Sequence, residues 1–438
     1  MKATEIYQEY NDHILLTYTR MPAIFVKGKG SVLTDIQGKK YLDFFPGWGV
    51  SNLGHCHPKV MGAVREQIGK LIHIPNNLYN PHQAKLAKEL VRISFEGKIF
   101  FCNSGAEAIE TAIKFARMYG ELGPPKAGGK KFEIITAVNS FHGRTMGALT
   151  ATAQEKHQKG FAPLVPGFKY VPFNDINALK AAVNGQTVAI MVELVQGEGG
   201  INVATKEYVL AIRQLCDENK ILFIADEVAT GMARTGEIFA FKHYGITPDV
   251  MCLAKALGGG LPIGAMIVKK ELADVFKPGM HGSTFAGSPL VCKAALGVIK
   301  AIYADKIMKN VKAQGPYLLQ KLNELKSKYD IIKEVRGLGL MIGVELNTDG
   351  MAIFKECFTN GLIINCTQGN VLRIMPALNV TRRQINKAIH ILNGAIETVL
   401  KAHHRVAEGG ASPASAGFCE HAGETRGQDP MIRMKKEI

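Results

Sequence analysis

Helical segments alternate with short, continuously apolar runs from about residue 59 onward, and no other feature of this sequence constrains the fold as strongly. A strand that is apolar at every position is buried on both faces, which is typical of parallel sheets covered by helices. The pattern therefore predicts an α/β fold whose ligands bind at the carboxyl ends of the strands. The predicted strands cover residues 99–102, 134–137, 189–194, 221–225, 250–254 and 265–268.

The pattern differs on either side of this region. Residues 22–45 contain short extended runs joined by turns. From about residue 288, long helices are followed by short strands, one pair of them around residues 337–339, and a last helix is predicted over 381–401. We therefore expect a second, smaller α+β domain. Residues 407–438 are rich in Gly, Ala, Ser and charge without periodicity, which predicts a disordered tail.

The composition excludes several classes of protein. Of the 438 residues, 47% are apolar and 21% are charged, which is the balance of an ordinary globular protein rather than a disordered or collagen-like chain. No apolar run approaches the roughly 20 residues that span a bilayer. The first ten residues are polar with both signs of charge, unlike a signal or transit peptide. We expect a cytoplasmic protein without membrane segments.

The cysteines and the net charge suggest neither a metal nor a nucleic acid. None of the eight cysteines forms a C-x-x-C pair, and most lie among apolar residues, so we expect buried reduced thiols and no metal. Cys56 lies between two histidines, but no second cluster would complete a metal site. The net charge of +15 is spread along the chain, which favours a solvated surface around an anionic small-molecule site.

Two charged residues follow predicted strands. Lys255 comes directly after the strand at 250–254 and before a run of three glycines, where a partly desolvated lysine can form a Schiff base with a ligand. Asp226 ends the strand at 221–225, where a carboxylate is costly unless it meets a cation. Asp226 could face the protonated ring nitrogen of pyridoxal phosphate (PLP). Taken alone, Lys255 is better explained as a surface lysine, whereas a capping or ion-paired aspartate explains Asp226 equally well.

Residues 103–107 join a predicted strand to a predicted helix and supply a hydroxyl, a glycine and free amides. This is either a phosphate site at a helix N-terminus or simple N-capping by Ser104. No G-x-G-x-x-G follows a strand and no P-loop motif is present, which disfavours nicotinamide and nucleoside triphosphate binding.

Residues 141–145 add an aromatic ring for stacking and an arginine for a carboxylate. Further charges at Glu193, Glu198 and Arg373 are candidates for the same site, although each alone is more often structural. A candidate phosphate site, an aromatic residue, an acid and a lysine occur in this one chain. Their combination is explained better by a shared site than by independent coincidence.

These motifs make the sequence resemble the class III (fold type I) PLP-dependent aminotransferases from about residue 18 to about residue 400. The resemblance implies a large domain with a mainly parallel seven-stranded sheet covered by helices, and a smaller α+β domain. The implied boundaries are an N-terminal segment at 1–45 that packs with the small domain, a PLP-binding domain at 46–287, a small domain at 288–405 and a tail at 406–438. The motifs that carry it are residues 226–228 and 254–260, supported by 52–58, 141–145, 281–285 and 372–374.

The resemblance also implies roles in cofactor binding. Lys255 would link to PLP and then move a proton, and Asp226 would hold the proton on the pyridine nitrogen. Phe141 would stack on one face of the ring and Val228 would pack on the other. A homodimer with shared active sites is implied, in which Thr284, together with Ser283, reaches the phosphate in the neighbouring subunit. The other implied cofactor-binding residues are Ser104, Gly105 and Ala106, which bind the phosphate, together with His142 and Glu193.

The substrates implied by the resemblance are an ω-amino donor such as N-acetylornithine and the acceptor 2-oxoglutarate. Arg144 would clamp the distal carboxylate of the donor, and Arg373 would take the α-carboxylate of glutamate. Glu198 would cover Arg373 when the substrate presents no carboxylate there, and swing away for glutamate. Tyr18 and Trp48 are further substrate-binding candidates.

One departure from the family pattern stands beside PLP. The family usually has glutamine three residues after the pyridinium acid, and this chain has Ala229. Alternative amino donors within the class are ornithine, succinylornithine, 4-aminobutyrate and succinyl-diaminopimelate. A glutamate-semialdehyde mutase is disfavoured because Glu198 and Arg373 together indicate a glutamate half-reaction. A basic nucleic-acid-binding protein is the alternative from another class, although the chain has no basic arm or stripe.

Overall fold

The computed structural model describes residues 2–123 and 130–407, and nearly all of the predicted tail lies outside the described residues. The chain forms two compact units. One unit comprises residues up to Ile24 together with those from Glu397 onward, and the other comprises Phe25–Ile396. The second unit contains all of the strands described below.

The helices of the described residues range from four to 26 residues in length. They are α1 (Ala3–His13), α2 (Pro58–Ile68), α3 (Pro81–Ile93), α4 (Gly105–Leu122), α5 (Met146–Ala151), α6 (Glu155–Gln158), α7 (Ile176–Ala182), α8 (Lys206–Asn219), α9 (Pro289–Ala304), α10 (Ile307–Lys328), α11 (Met351–Thr359) and α12 (Arg382–Ala407).

The strands form one large and three small sheets within the same described ranges. They are β1 (Phe25–Lys29), β2 (Val32–Asp35), β3 (Lys40–Asp43), β4 (Gly97–Cys102), β5 (Glu133–Ala137), β6 (Phe168–Val171), β7 (Thr187–Glu193), β8 (Val195–Gln196), β9 (Asn202–Val203), β10 (Leu222–Asp226), β11 (Val250–Leu253), β12 (Gly264–Lys269), β13 (Ile332–Leu338), β14 (Met341–Leu346), β15 (Leu362–Ile363), β16 (Asn365–Thr367) and β17 (Val371–Ile374).

The large sheet has seven strands in the order β4-β12-β11-β10-β7-β5-β6. Only β12 runs against its neighbours, because it pairs antiparallel with both β11 and β4. The central strands β7, β10 and β11 are buried at every position, as continuously apolar strands covered on both faces must be. The predicted mainly parallel seven-stranded sheet is therefore confirmed.

All six predicted strands are present, with bounds that differ by at most two residues. β6, which lies at one edge of the large sheet, was not predicted from the sequence. Its first three residues are only partly buried or exposed, and Lys169 and Tyr170 interrupt the apolar run. A strand that is half solvated has no continuous apolar signal, which explains the omission.

The smaller sheets join segments that lie far apart in the sequence. β3 pairs in parallel with β15, so the sheet β1-β2-β3-β15 combines the predicted N-terminal segment with the predicted small domain. The sheet β13-β14-β17-β16 carries Arg373 on β17. The two strands predicted around residues 337–339 are β13 and β14, which meet at that turn. The domain boundaries themselves stay a prediction.

The polar residues singled out in the sequence lie at one edge of the large sheet. The strands β7 and β10 end on Glu193 and Asp226. Ser104 and Lys255 follow shortly after the carboxyl ends of β4 and β11. The short hairpin β8-β9 follows β7 directly and carries Glu198 in its turn. In the part of the chain that the structure describes, no helix is long and apolar enough to cross a membrane.

Candidate active site

One cavity of about 530 Å³ lies at the carboxyl ends of the strands, in the size range of small-molecule sites. It brings together most of the residues selected from the sequence. The predicted site residues that line it are Trp48, Ser104, Gly105, Ala106, Phe141, His142, Arg144, Glu193, Glu198, Asp226, Val228, Lys255 and Arg373.

Lys255 enters the cavity from the turn after β11. Its φ of 43° lies in the left-handed region that side-chain-bearing residues rarely adopt, and Gly259 in the same turn has a φ of 59°. Desolvation lowers the pKa of Lys255, and the neighbouring carboxylates, Glu198 foremost, oppose this shift without cancelling it. The amine is therefore closer to losing its proton than an exposed lysine, which suits a nucleophile or a proton carrier.

Asp226 ends β10 and forms a buried pair with His142. The Nδ1 atom of His142 lies 2.7 Å from Oδ2 of Asp226, and the amide of Val228 donates to Oδ1 at 3.0 Å. Burial opposes protonation of His142, but the hydrogen bond and the charge of Asp226 outweigh it, so the pKa of His142 is raised. The Nε2 atom of His142 is buried without a hydrogen-bond partner. Both carboxylate oxygens of Asp226 therefore have hydrogen-bond partners where Asp226 lines the cavity.

Glu193 ends β7 next to this pair. Its Oε2 accepts from the amide of Phe141 at 3.0 Å and its Oε1 accepts from the amide of Gly197 at 3.1 Å. Burial, assisted by the charge of Asp226, raises the pKa of Glu193. Glu193 thus joins the segment before α5 to the hairpin β8-β9, on opposite sides of the cavity.

The start of α4 forms a further wall of the cavity. Ser104 caps the helix by accepting from the amide of Glu107 at 3.2 Å, and Glu107 in turn accepts from the amide of Asn103 at 2.5 Å. The amides of Gly105 and Ala106 belong to the first helical turn, which has no intrahelical acceptors and attracts anions. A Cβ atom on Gly105 would lie 2.9 Å from Cγ1 of Val228, so only glycine fits this close approach.

The segment that carries Phe141 and Arg144 is held at both ends of α5. The Oγ1 atom of Thr152 accepts from the amide of His142 at 2.8 Å, and a carboxylate oxygen of Glu110 accepts from the amide of Gly147 at 2.8 Å. Arg144 is exposed and lies 5.7 Å from the centre of the Phe141 ring. Its guanidinium forms no ion pair with any described residue, so it can accept a carboxylate from a ligand.

Arg373 and Glu198 form an ion pair at the far side of the cavity. The Nη1 atom of Arg373 donates to Oε1 of Glu198 at 2.7 Å, and its Nε donates to Oδ1 of Asn365 at 2.7 Å. The guanidinium also lies 4.7 Å from the ring centre of Phe45 and 5.6 Å from that of Trp48. The Nη2 atom is buried without a hydrogen-bond partner, which leaves a donor for a bound carboxylate.

Three predicted site residues do not line this cavity. Ser283 lines a second cavity and accepts a hydrogen bond from Nδ2 of Asn103 at 3.0 Å, and Thr284 is exposed. Tyr18 belongs to the other compact unit. The roles of these three residues stay predictions.

Comparison with known proteins decides the family. Residues 16–396 match the family model described as Aminotransferase class-III. The chain belongs to the class-III aminotransferases. The seven-stranded mixed sheet flanked by helices confirms the predicted fold type I for this aminotransferase. The family implies PLP as the cofactor, and amino acids and keto acids as substrates.

The relatives of this aminotransferase match it over nearly their whole length. It is 50% identical over 388 residues to the acetylornithine aminotransferase of Caldanaerobacter subterraneus subsp. tengcongensis, which covers 88% of this chain and 98% of the relative. It is 52% identical over 389 residues to the acetylornithine aminotransferase of Methanocaldococcus jannaschii, with 88% and 96% covered. The ornithine aminotransferase structure from Toxoplasma gondii ME49 superposes with a TM-score of 0.87 at 30% identity, over 92% of this chain and 96% of that one.

Sequence reasoning missed several residues that shape the site of this aminotransferase. Asn365 orients Arg373 from β16, and Phe45 packs against the same guanidinium. Nothing distinguishes these two residues in the sequence, because the role of each depends on a contact with Arg373 that only the fold reveals. Apart from Asn103, the other cavity residues that were not selected are apolar or glycine: Val50, Gly143, Gly197, Ala229, Ala254, Gly260, Leu261, Pro262, Ile263, Met341 and Met375.

Proposed function

We propose that this aminotransferase transfers the terminal amino group of N-acetylornithine to 2-oxoglutarate, which yields the semialdehyde and glutamate, as in arginine biosynthesis. The observation that carries the proposal is the single cavity shared by Lys255, Asp226 and the Arg373–Glu198 ion pair. The names of the relatives at 50% and 52% identity support the choice of donor.

The residues of the cavity fit PLP by charge and by shape. The first turn of α4 would hold the phosphate through the amides of Gly105 and Ala106 and the hydroxyl of Ser104. Phe141 and Val228 would enclose the ring, and the glycine at position 105 keeps the helix start close to Val228. Ala229 also lines the cavity, at the position where the family usually has glutamine.

Lys255 would carry the covalent link to the cofactor and move the reacting proton. When bound, PLP supplies an electron-withdrawing ring that makes a proton on the carbon beside the substrate nitrogen removable. The Nζ atom of Lys255 would take this proton and deliver it in a 1,3-proton transfer. The lowered pKa of Lys255 suits this exchange, because a general base works best near the ambient pH.

Asp226 would hold a proton on the ring nitrogen of the cofactor. Its carboxylate is held in place by hydrogen bonds from His142 and from the amide of Val228. The pair is buried, so the electrostatic attraction for a protonated nitrogen is screened little by water.

The two arginines would select the substrates by their carboxylates. Arg144 would bind the carboxylate of N-acetylornithine that lies far from the reacting amine. Arg373 would bind the α-carboxylate of glutamate through the Nη2 atom that has no partner. Glu198 would cover Arg373 when the donor presents a neutral chain there, because a bare buried guanidinium is unfavourable.

A homodimer would complete the active site through Ser283 and Thr284 of the neighbouring subunit. Large apolar side chains are exposed near this segment, which supports a partner surface there. Leu78 and Tyr79 are 54% and 103% exposed, and Phe285 is 66% exposed. The side-chain amide of Asn76 donates to the carbonyls of Ser283 and Ala286, which joins the segment before Leu78 to the segment that carries Phe285.

A donor panel tests the proposed function. The purified enzyme, supplied with PLP and 2-oxoglutarate, is incubated with N-acetylornithine, ornithine, succinylornithine, 4-aminobutyrate or succinyl-diaminopimelate. We expect the highest kcat/KM with N-acetylornithine, and borohydride reduction should fix the cofactor to Lys255. A kcat/KM for ornithine above that for N-acetylornithine would contradict the choice of donor. Fixation of the cofactor to another lysine would contradict the role of Lys255.

A further inference from the structure

The loop that carries Glu198 is held along its backbone by side chains from several elements. Four successive carbonyls, from residue 197 to residue 200, accept hydrogen bonds from side chains. The donors are Arg373 to Gly197 (2.9 Å), Thr367 and Gln368 to Glu198 (2.8 and 2.7 Å), Asn202 to Gly199 (2.9 Å), and Arg336 to Gly200 (2.7 and 3.1 Å). The carboxylate of Glu198 therefore projects from a fixed backbone.

The carbonyl of Glu198 accepts hydrogen bonds from two different side chains, those of Thr367 and Gln368. Thr367 is buried at the end of β16, and Gln368 lies in the turn before β17, the strand that carries Arg373. Gln368 has a φ of 53°, an unfavourable conformation for a residue other than glycine or asparagine. Its Nε2 atom also lies 3.3 Å from Oε1 of Gln154. The turn between β16 and β17 thus joins the backbone of Glu198 to the strand of its ion-pair partner.

We propose that Thr367 and Gln368 are positioning residues for the switch between the two substrates. This inference rests on the proposed function, in which Glu198 covers Arg373 for N-acetylornithine and releases it for glutamate. Because the carbonyl of Glu198 is anchored to the turn that precedes β17, only the torsions of the Glu198 side chain change when the carboxylate moves. The carboxylate then returns to the same place against Arg373 after each glutamate half-reaction.

The test removes both anchors without adding backbone strain. The variant Thr367→Val with Gln368→Asn replaces the hydroxyl by a methyl group and shortens the amide side chain, while asparagine tolerates the left-handed conformation. Thr367→Ser is the matched control, because it keeps the hydroxyl donor. Single-turnover absorbance changes with N-acetylornithine and with glutamate measure the two half-reactions separately.

We expect the double variant to lose about tenfold in the N-acetylornithine half-reaction and to keep the glutamate half-reaction within about threefold. Thr367→Ser should keep the wild-type ratio of the two. In a Glu198→Gln background the double variant should change the ratio no further, because both changes act on the same ion pair. Equal losses in both half-reactions, or an effect fully additive with Glu198→Gln, would overturn the proposal.

A second measurement needs neither substrate nor turnover. Hydrogen exchange of the peptide that contains residues 197–201 should be slow in the wild type and in Thr367→Ser, and faster in the double variant. Unchanged exchange in the double variant would also overturn the proposal. Glu198→Gln alone reports on the switch itself, so a failure of the proposed function is distinguished from a failure of the anchors.

Discussion

At the scale of single residues, Lys255 occupies a position that is unfavourable in two ways. Its backbone adopts a left-handed conformation, which costs roughly 1–3 kcal/mol for a residue with a side chain. Its amine is desolvated, which lowers its pKa. The end of β11 and the following glycine turn hold Lys255 in this conformation. The surrounding fold therefore offsets the cost of the left-handed backbone and of the desolvated amine.

Replacing Lys255 should therefore separate activity from stability. We expect Lys255→Ala to reduce multiple-turnover transamination by at least about a thousandfold, because no other lysine among the described residues lines the cavity to move the proton. The free energy of unfolding of the cofactor-free protein should be unchanged or higher, because a desolvated amine is removed. Steady-state assays and urea unfolding measure the two quantities. Activity within tenfold of the wild type would contradict the role assigned to Lys255.

Replacing Glu198 should move the two half-reactions apart. Glu198→Gln removes the negative charge beside Arg373, so the glutamate half-reaction should be preserved or improved. The N-acetylornithine half-reaction should weaken roughly ten- to a hundredfold, because a buried guanidinium then lacks its counterion. Single-turnover absorbance with each donor provides the measurement. Equal slowing with both donors would mean that Glu198 does not act as a switch.

The residues that sequence reasoning selected are polar groups at strand ends, and the reason is physical. A charge after an apolar strand is conspicuous, so Asp226 and Lys255 were identifiable from the chain alone. Asn365 and Thr367 were not, because an amide or hydroxyl in a short strand is ordinary until its partner is known. Their partners, Arg373 and Glu198, come from the opposite strand and from a hairpin far away in the sequence.

At the scale of elements, the start of α4 and the segment after β10 approach each other more closely than a side chain at residue 105 allows. Gly105→Ala should weaken PLP binding by about tenfold or more, because its Cβ atom would lie 2.9 Å from Cγ1 of Val228 and shift the helix start. Titration of the cofactor-free enzyme with PLP measures this affinity. Val228→Ala in the same chain should restore part of it. An unchanged affinity of Gly105→Ala would contradict the assignment of the phosphate to this turn.

The elements themselves were predictable to different degrees. The six predicted strands of the large sheet have continuous apolar runs, and the structure contains all of them. The edge strand β6 and the hairpin β8-β9 were missed. The hairpin pairs only two residues on each side, and its register comes from the side chains that hold its turn rather than from a local pattern.

At the scale of the whole molecule, histidines that folding partly desolvates make stability depend on pH. The histidines whose pKa is lowered chiefly by desolvation are His57, His82, His157, His243 and His281. Below the ordinary histidine pKa of about 6.5 the unfolded chain binds more protons at these positions than the folded chain. Their contribution to stability is complete above that pH and is lost as the pH falls through the lowered values.

We expect these histidines to lower the free energy of unfolding when the pH falls from about 7.5 to about 5.5. Glu193, Glu227 and His142, whose pKa values are raised in the fold, act in the opposite sense. Urea unfolding at several pH values measures the slope, and His243→Gln should reduce it. A slope that is identical in His243→Gln and the wild type would contradict a contribution from His243.

The parallel pairing of β3 with β15 has a consequence for synthesis on the ribosome. Leu42 and Leu362 are partners in this pair, so 320 further residues must be synthesised after Leu42 before β3 can pair with β15. At the usual elongation rates this delay is roughly 15–65 s. Until then, the amides of Leu42 and Phe44 lack the carbonyls of Gly361 and Ile363 that they meet in the finished enzyme. The nascent chain therefore emerges with an unpaired strand edge, which a ribosome-associated chaperone is suited to protect.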